Sequence, residues 1–310
     1  MLWRWLTFWI ASLNARSLNP YLAKLGFDEN DRVLITHIDD MGFCHAANEA
    51  SLACLLSGAA TCASIIVNAP WFMEAARICK EHPEFDIGVH LTLTAEYPTF
   101  RWPALSSRDP STGLLDHEGY LWRSREDAVR HVTVEGAEAE MRTQIDSALE
   151  AGIDVTHFDT HMGSVVHPKF LASYLELARE YGVPAFLPRI TRERLEALAM
   201  GNAADDFMAI LEKVDEAQVP VLDEIIIDTL VDLEDKAEFY REKIDGVGPG
   251  LTHLLFHPAI NGEELQAIAD THLSRHADYL VWSNPQIRQY IADAGIKQIG
   301  YRELRDHLAI

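Results

Sequence analysis

Residues 32–58 read RVLITHIDDMGFCHAANEASLACLLSG. The first part, Arg32 to Ile38, is a short apolar run of the length and composition of a buried strand. Two adjacent carboxylates, Asp39 and Asp40, close it. A helical stretch follows from Ala46 to Ser57 and stops at Gly58, the residue that most readily adopts the left-handed turn ending a helix. The stretch is therefore one βα unit with ionisable groups at the carboxyl end of its strand.

The same alternation recurs along the chain. Strands are expected at Ala60–Val67, Asp86–Thr94, Val155–Asp159, Glu224–Asp228, Leu251–Phe256 and Gln298–Tyr301. Helices are expected at Pro70–Glu81, Glu135–Glu150, Lys169–Tyr181, Lys236–Lys243 and Pro285–Ala294. Strands alternating with helices form parallel sheets. About seven of them predict an α/β fold, a (β/α) barrel or a distorted relative of one. Residues 95–125 carry Pro98, Pro103, Pro110, Gly113 and Gly119 and form a long loop, a length usually tied to function. Tyr97, Phe100, Trp102, Tyr120 and Trp122 make it aromatic. No glycine-rich nucleotide fingerprint follows the first strand.

In parallel α/β folds, chemistry collects at the carboxyl ends of strands, and ionisable clusters fall there repeatedly. At Asp39-Asp40, burial of two carboxylates is costly without a cation; one can ligate a metal while the other acts as base. The plainer alternative is a helix N-cap plus a solvated carboxylate. In GVHLTLT (88–94), alternation puts His90, Thr92 and Thr94 on one face. In THFDTH (156–161), His157, Asp159 and His161 share a face. His161 is expected to ligate while Asp159 accepts its other ring N–H, with His157 in support; His167 reads as a loop residue. His257 ends the Leu251–Phe256 strand as a candidate general acid. One Asp and two His form a facial ligand set that leaves positions for water and substrate.

Composition bounds the partners. The chain has 310 residues and a net charge of −22, from 26 Lys+Arg against 48 Asp+Glu. Such a surface repels nucleic acid and anionic membranes and suits a neutral or cationic small molecule. Cys44, Cys54, Cys62 and Cys79 form no CxxC pair and read as buried thiols, which points to the cytoplasm. Met1–Leu13 (MLWRWLTFWIASL) is apolar but shorter than the ~20 residues of a membrane span. It reads as a docking helix or an upstream start, with secretion the alternative if it is a signal segment. The division expected is an apolar extension over 1–30 and one domain over 31–310; homo-oligomerisation is left open.

The ordered set IDDMGFCHAAN (38–48), GVHLTLT (88–94), THFDTHMG (156–163) and FHPA (256–259) resembles the YdjC-like (ChbG/HpnK) carbohydrate deacetylases, from about Arg32 to Arg305. That family is similar in plan to the polysaccharide deacetylases of carbohydrate esterase family 4. The resemblance implies a distorted (β/α) barrel and removal of acetyl from an N-acetylated saccharide with a divalent metal, Mg or Zn. Carried over by position, it implies metal ligands Asp40, His90 and His161, base Asp39 and acid His257. Arg189 is expected to orient Asp39, and Tyr97 and Trp102 to stack on sugar. The chain departs from the family's pattern at Thr36-His37 before the two Asp, and at Met162-Gly163 where many members are His-rich. The alternatives are a non-catalytic sugar-binding relative and another metal hydrolase such as a phosphoesterase. The motifs carry no Arg or Lys for a phosphate.

Overall fold

The computed structural model describes residues 19–197, 204–216, 218–227 and 229–308. The apolar segment Met1–Leu13 and Asp228 lie outside them. Seven strands form one parallel sheet: β1 Arg32–Met41, β2 Cys62–Ile65, β3 Ile87–Leu91, β4 Val155–Thr160, β5 Glu224–Ile226, β6 Gly250–Phe256 and β7 Lys297–Gln298. Their order is β4-β3-β2-β1-β6-β5, with β7 also on β1. Helices flank the sheet, among them His45–Leu56, Phe72–Glu81, Val134–Glu150, Pro168–Tyr181, Lys236–Asp245, His272–Trp282 and Pro285–Asp293.

The barrel is distorted between β4 and β5, where no continuous ladder among the described residues closes it. Residues 184–189 cross this gap through single bridges, Phe158 to Ala185 and Pro188 to Leu222. Phe186 N donates to Phe158 O at 2.7 Å and Leu222 N to Leu187 O at 2.9 Å. Pro184 and Pro188 flank the segment and have no N–H to extend a ladder. The last expected strand also ends early. Gly300 caps a short helix, Tyr301–Arg305, its N–H bonded to Glu303 Oε2 at 3.0 Å, so Tyr301 packs inward as a helical residue.

Strand alternation sorts side chains into two environments. Leu34, Ile38, Ala63, Ile65, Val89, Phe158, Leu254 and Phe256 join the larger core, which also contains the flanking-helix residues. Val33, Ile35, Cys62 and Leu251 belong to a second cluster with Tyr21, Leu22, Tyr301 and Leu304. Residues 19–27, on the amino-terminal side of the boundary expected at residue 30, contribute Tyr21 and Leu22 to it. Continuing the alternation of that second face leads from Val33 and Ile35 to His37 and Asp39, from Cys62 to Ser64, and from Leu251 to His253 and His257. The interior therefore changes from apolar to ionisable toward the carboxyl ends of the strands.

β1 breaks its alternation where the chemistry begins. Its pairing with β2 shifts between Ile38 and Met41, the extra residue of a β-bulge. Asp40 has φ +66°, a left-handed conformation that non-glycine residues seldom adopt. Asn48, fully buried, holds the turn after it. Its Oδ1 accepts from Gly42 N at 2.7 Å, and its Nδ2 donates to Trp71 O at 3.1 Å and Glu74 Oε2 at 2.8 Å.

All four cysteines are free and buried. No helix among the described residues is long and apolar enough to cross a membrane. Asn48→Ala strips the bulge of its clamp and is expected to cost about 1–3 kcal/mol, since buried partners lose their hydrogen bonds. Urea unfolding, read as a lower midpoint at unchanged slope, checks this.

Candidate active site

The bulge turns two consecutive carboxylates to one centre. Asp40 Oδ1 lies 3.4 Å from His90 Nε2 and 3.1 Å from His161 Nδ1, and Asp39 Oδ2 lies 3.9 Å from His90 Nε2 and 3.7 Å from His257 Nε2. The parallel register aligns these groups. Ile38 pairs with Phe256, so Asp39 and His257 follow side by side, and His90 pairs with Asp159.

Asp40 Oδ1 is buried and hydrogen-bonds to neither imidazole despite those short distances. Donor atoms that approach without bonding to one another are arranged about a common point. Asp40, His90 and His161 each offer one atom within 4.8 Å of the others. Ligands about 2.0–2.2 Å from an ion stand about 3.0–3.5 Å apart, so this donor set fits a cation.

Each imidazole is held from behind. His90 Nδ1 meets Asp159 Oδ1 at 2.8 Å, and Ser64 Oγ donates to Asp159 Oδ2 at 2.7 Å. His161 Nε2 meets Glu96 Oε2 at 3.0 Å. A carboxylate on the far nitrogen fixes the tautomer of a ligating imidazole. The expectation that Asp159 supports His161 is corrected here: Asp159 serves His90, and Glu96 serves His161. Position in the sheet decides this, because Asp159 sits beside His90 in the β3–β4 register.

Arg189 is also corrected. It ion-pairs with Glu216 at 2.5 Å and Asp223 at 3.3 Å, in the segment crossing the barrel gap. Asp39 takes its hydrogen bond from His37 instead, Oδ1 to Nδ1 at 2.8 Å. The arginine that reaches the centre is Arg275, buried on helix His272–Trp282, with Nη1 2.8 Å from Asp40 Oδ2 and Nη2 3.1 Å from Tyr97 Oη. That helix was not anticipated, and neither Arg275 nor Glu96 falls in a motif that singles it out. Trp102 is 1 % exposed, donates its indole N–H to Thr94 O at 3.0 Å and lies against His161. It supports the site from inside and offers no open face for a sugar. Tyr97 stacks on Phe43, with ring centroids 5.0 Å apart. His157 bonds His37 rather than a member of the Asp-His-His set, and His167 caps helix Pro168–Tyr181.

His257 is placed through its backbone. Its N–H donates to Asp278 Oδ2 at 3.1 Å, while Asp278 Oδ1 is held by Lys236 Nζ at 2.8 Å and Tyr240 Oη at 2.6 Å. Its own Nδ1 is buried without a partner. Burial pushes the His257 imidazole below its usual range, against the opposing pull of Asp40 and Asp39. Burial alone would push the Asp40 carboxyl up, but Arg275 and the two imidazoles outweigh it and hold it well below the carboxylate range. Burial opposes protonation of His161, yet Glu96 and Asp40 raise it to about 9.

The arrangement places a candidate metal-ligand set, with a carboxylate and an imidazole beside it, at the carboxyl edge of a parallel barrel. Comparisons with known proteins define the class. The YdjC-like protein family model matches residues 33–293. The carbohydrate deacetylase of Thermus thermophilus is 32% identical over 278 residues, spanning 89% of this chain and 95% of the relative. That of Thermoanaerobacter pseudethanolicus is 26% identical over 274 residues, 88% and 100% of the two chains. A crystal structure from Enterococcus faecalis V583, of a protein described as a candidate for cellobiose-phosphate cleavage, superposes with a TM-score of 0.72 at 23% identity, covering 88% and 99%. The chain belongs to the YdjC-like family.

Protons on His90 and His161 compete with an ion for the same lone pairs. Because His161 is raised to about 9, lowering the pH below that value fills the nitrogen that faces Asp40. Zinc affinity is therefore expected to fall at least about tenfold per pH unit there, with proton release on binding. Calorimetry in buffers of different ionisation enthalpy checks it; affinity independent of pH would contradict this assignment.

Proposed function

We propose that this chain is a carbohydrate deacetylase, a hydrolase that removes the acetyl group from an N-acetylated saccharide, with a divalent ion held by Asp40, His90 and His161. The observation that carries the reading is the convergence of Asp40 Oδ1, His90 Nε2 and His161 Nδ1, with Asp39 Oδ2 and His257 Nε2 beside them. The names of the relatives support the substrate class. Two imidazoles in the donor set favour a first-row ion such as zinc over magnesium. The chemistry such an ion supplies is Lewis-acid polarisation of the acetamide oxygen.

The remaining work falls to the side chains. Asp39 Oδ1 is occupied by His37, so Oδ2 is the oxygen free to take a proton from the attacking water. The water oxygen bonds to the acetyl carbon, and the carbon–nitrogen bond then breaks. Burial keeps His257 neutral in the free enzyme, so the proton delivered to the leaving nitrogen is the one Asp39 received. It passes from Asp39 Oδ2 to His257 Nε2, 3.7 Å away, and on to the amine. Acetate and amine leave, and both side chains return to their starting forms.

Arg275 is committed to Asp40 and Tyr97, which argues against a phosphoester substrate. With Trp102 buried, the ring proposed to stack on sugar is Trp71. Trp71 is 36 % exposed, and its backbone N–H bonds to Gly42 O at 3.2 Å, two residues past Asp40. Tyr97 is proposed to bound the mouth by holding Arg275. The acidic surface favours an amine product over a neutral one.

The test is acetate release from a panel of N-acetylated mono- and disaccharides, before and after chelation and zinc add-back. Turnover is expected to vanish on chelation and return with zinc. Asp39→Asn should keep the ion and lose about 100- to 10,000-fold in kcat, the range for a positioned base. No acetate from any saccharide in the loaded protein would overturn the reading.

A further inference from the structure

The imidazoles of His37 and His157 are fully buried in the barrel interior and are not among the proposed ligands, base or acid. They lie on one unbroken line of contacts. Asp39 Oδ1 meets His37 Nδ1 at 2.8 Å, His37 Nε2 meets His157 Nε2 at 2.8 Å, and His157 Nδ1 meets Thr156 Oγ1 at 2.9 Å. The Thr156 hydroxyl bonds Asp86, whose other oxygen accepts from Arg302 N at 2.7 Å. The line thus runs from the candidate base to the start of β3.

We propose that His37 and His157 are positioning residues for Asp39, linked so that His157 holds the His37 ring and His37 fixes which Asp39 oxygen works. This rests on the reading of Asp39 as base. Two Nε2 atoms at hydrogen-bond distance cannot both accept, so one ring donates to the other. A neutral imidazole carries one N–H. With Asp39 ionised, His37 donates to it from Nδ1. One Asp39 oxygen is pinned by this bond, and the other faces His90 and His257.

The surroundings leave these rings little freedom. His157 stacks on Tyr301, with centroids 4.1 Å apart and planes at 15°, and His37 packs against His253 at 4.9 Å. His253 Nδ1 in turn meets Tyr301 Oη at 3.1 Å. Gly88 makes room for His157: a Cβ there would fall 2.5 Å from its Nε2. Other side chains could fill this volume with apolar packing. Buried polar lines of this kind fix geometry rather than add stability.

The test separates positioning from packing. His37→Leu removes the donor to Asp39, whereas His37→Asn places an amide N–H near the position of Nδ1. With the N-acetylated saccharide turned over fastest and zinc supplied, His37→Leu is expected to lower kcat about 100-fold, the cost of a misplaced catalytic group. KM and bound zinc should stay within about twofold, and His37→Asn should recover about tenfold of the loss. For His157 the matching pair is Leu against Gln, whose amide stands near Nε2. An unchanged kcat in His37→Leu, or a loss confined to KM or zinc content, would overturn the proposal. Should the leucine variants not fold, long-range proton–nitrogen spectra of the wild type decide. His37 protonated at Nδ1 supports it, and a bare Nδ1 overturns it. Asp39→Asn tells the two readings apart: full activity there removes the base itself, whereas an inactive Asp39→Asn beside an active His37→Leu removes only the positioning role.

Discussion

Burial of acidic groups around one point is the constraint on which this architecture depends. Asp39, Asp40 and Asp159 are all nearly inaccessible, and Glu96 closes on them through His161. Removing carboxylates from water costs several kcal/mol each unless they are paired and hydrogen-bonded. Here they are compensated by Arg275, by imidazoles and by the Ser64 hydroxyl. Among these carboxylate oxygens, Asp40 Oδ1 is wholly buried without a hydrogen bond. A cation between it and the two imidazole nitrogens would supply the missing positive charge, so electrostatic need and proposed function fall on the same atoms.

Backbone geometry makes this convergence possible. In a regular strand, neighbours point to opposite faces, and Asp39 and Asp40 could not share a centre. The bulge between Ile38 and Met41, with its left-handed Asp40, removes that restriction. A residue held at positive φ costs roughly 1–3 kcal/mol and persists only where its surroundings enforce it. Asn48 supplies that enforcement from the following helix, so a helix residue with no part in the chemistry holds both carboxylates in place.

The barrel also separates tasks by depth. Its apolar end packs Val33, Ile35, Leu251 and Tyr301. His37, His157 and His253 lie next along the same faces, with the carboxylates and the proposed ligand imidazoles beyond them. Rigid strands carry His90, Asp159 and the two Asp, whereas Glu96 and Arg275 arrive from a loop and a distant helix. Strand-borne groups are fixed by register; the others are fixed by ion pairs to those groups.

The period of the apolar runs and the glycine and proline punctuation determined the fold from the sequence alone: seven strands, parallel order and long crossovers. Runs such as RVLITHI and LTHLLF have one reading because burial on both faces requires it. The motifs also exposed Asp39, Asp40, His90, His161 and His257, because ionisable residues at the ends of apolar strands are too costly to lack a purpose. What the tertiary structure alone decided is which group faces which. Asp159 went to His90 through sheet register, Glu96 to His161 and Arg275 to Asp40 through contacts spanning 65 and 235 residues, and Arg189 to the barrel gap. Such partners are chosen by distance in space, and local sequence holds no record of it.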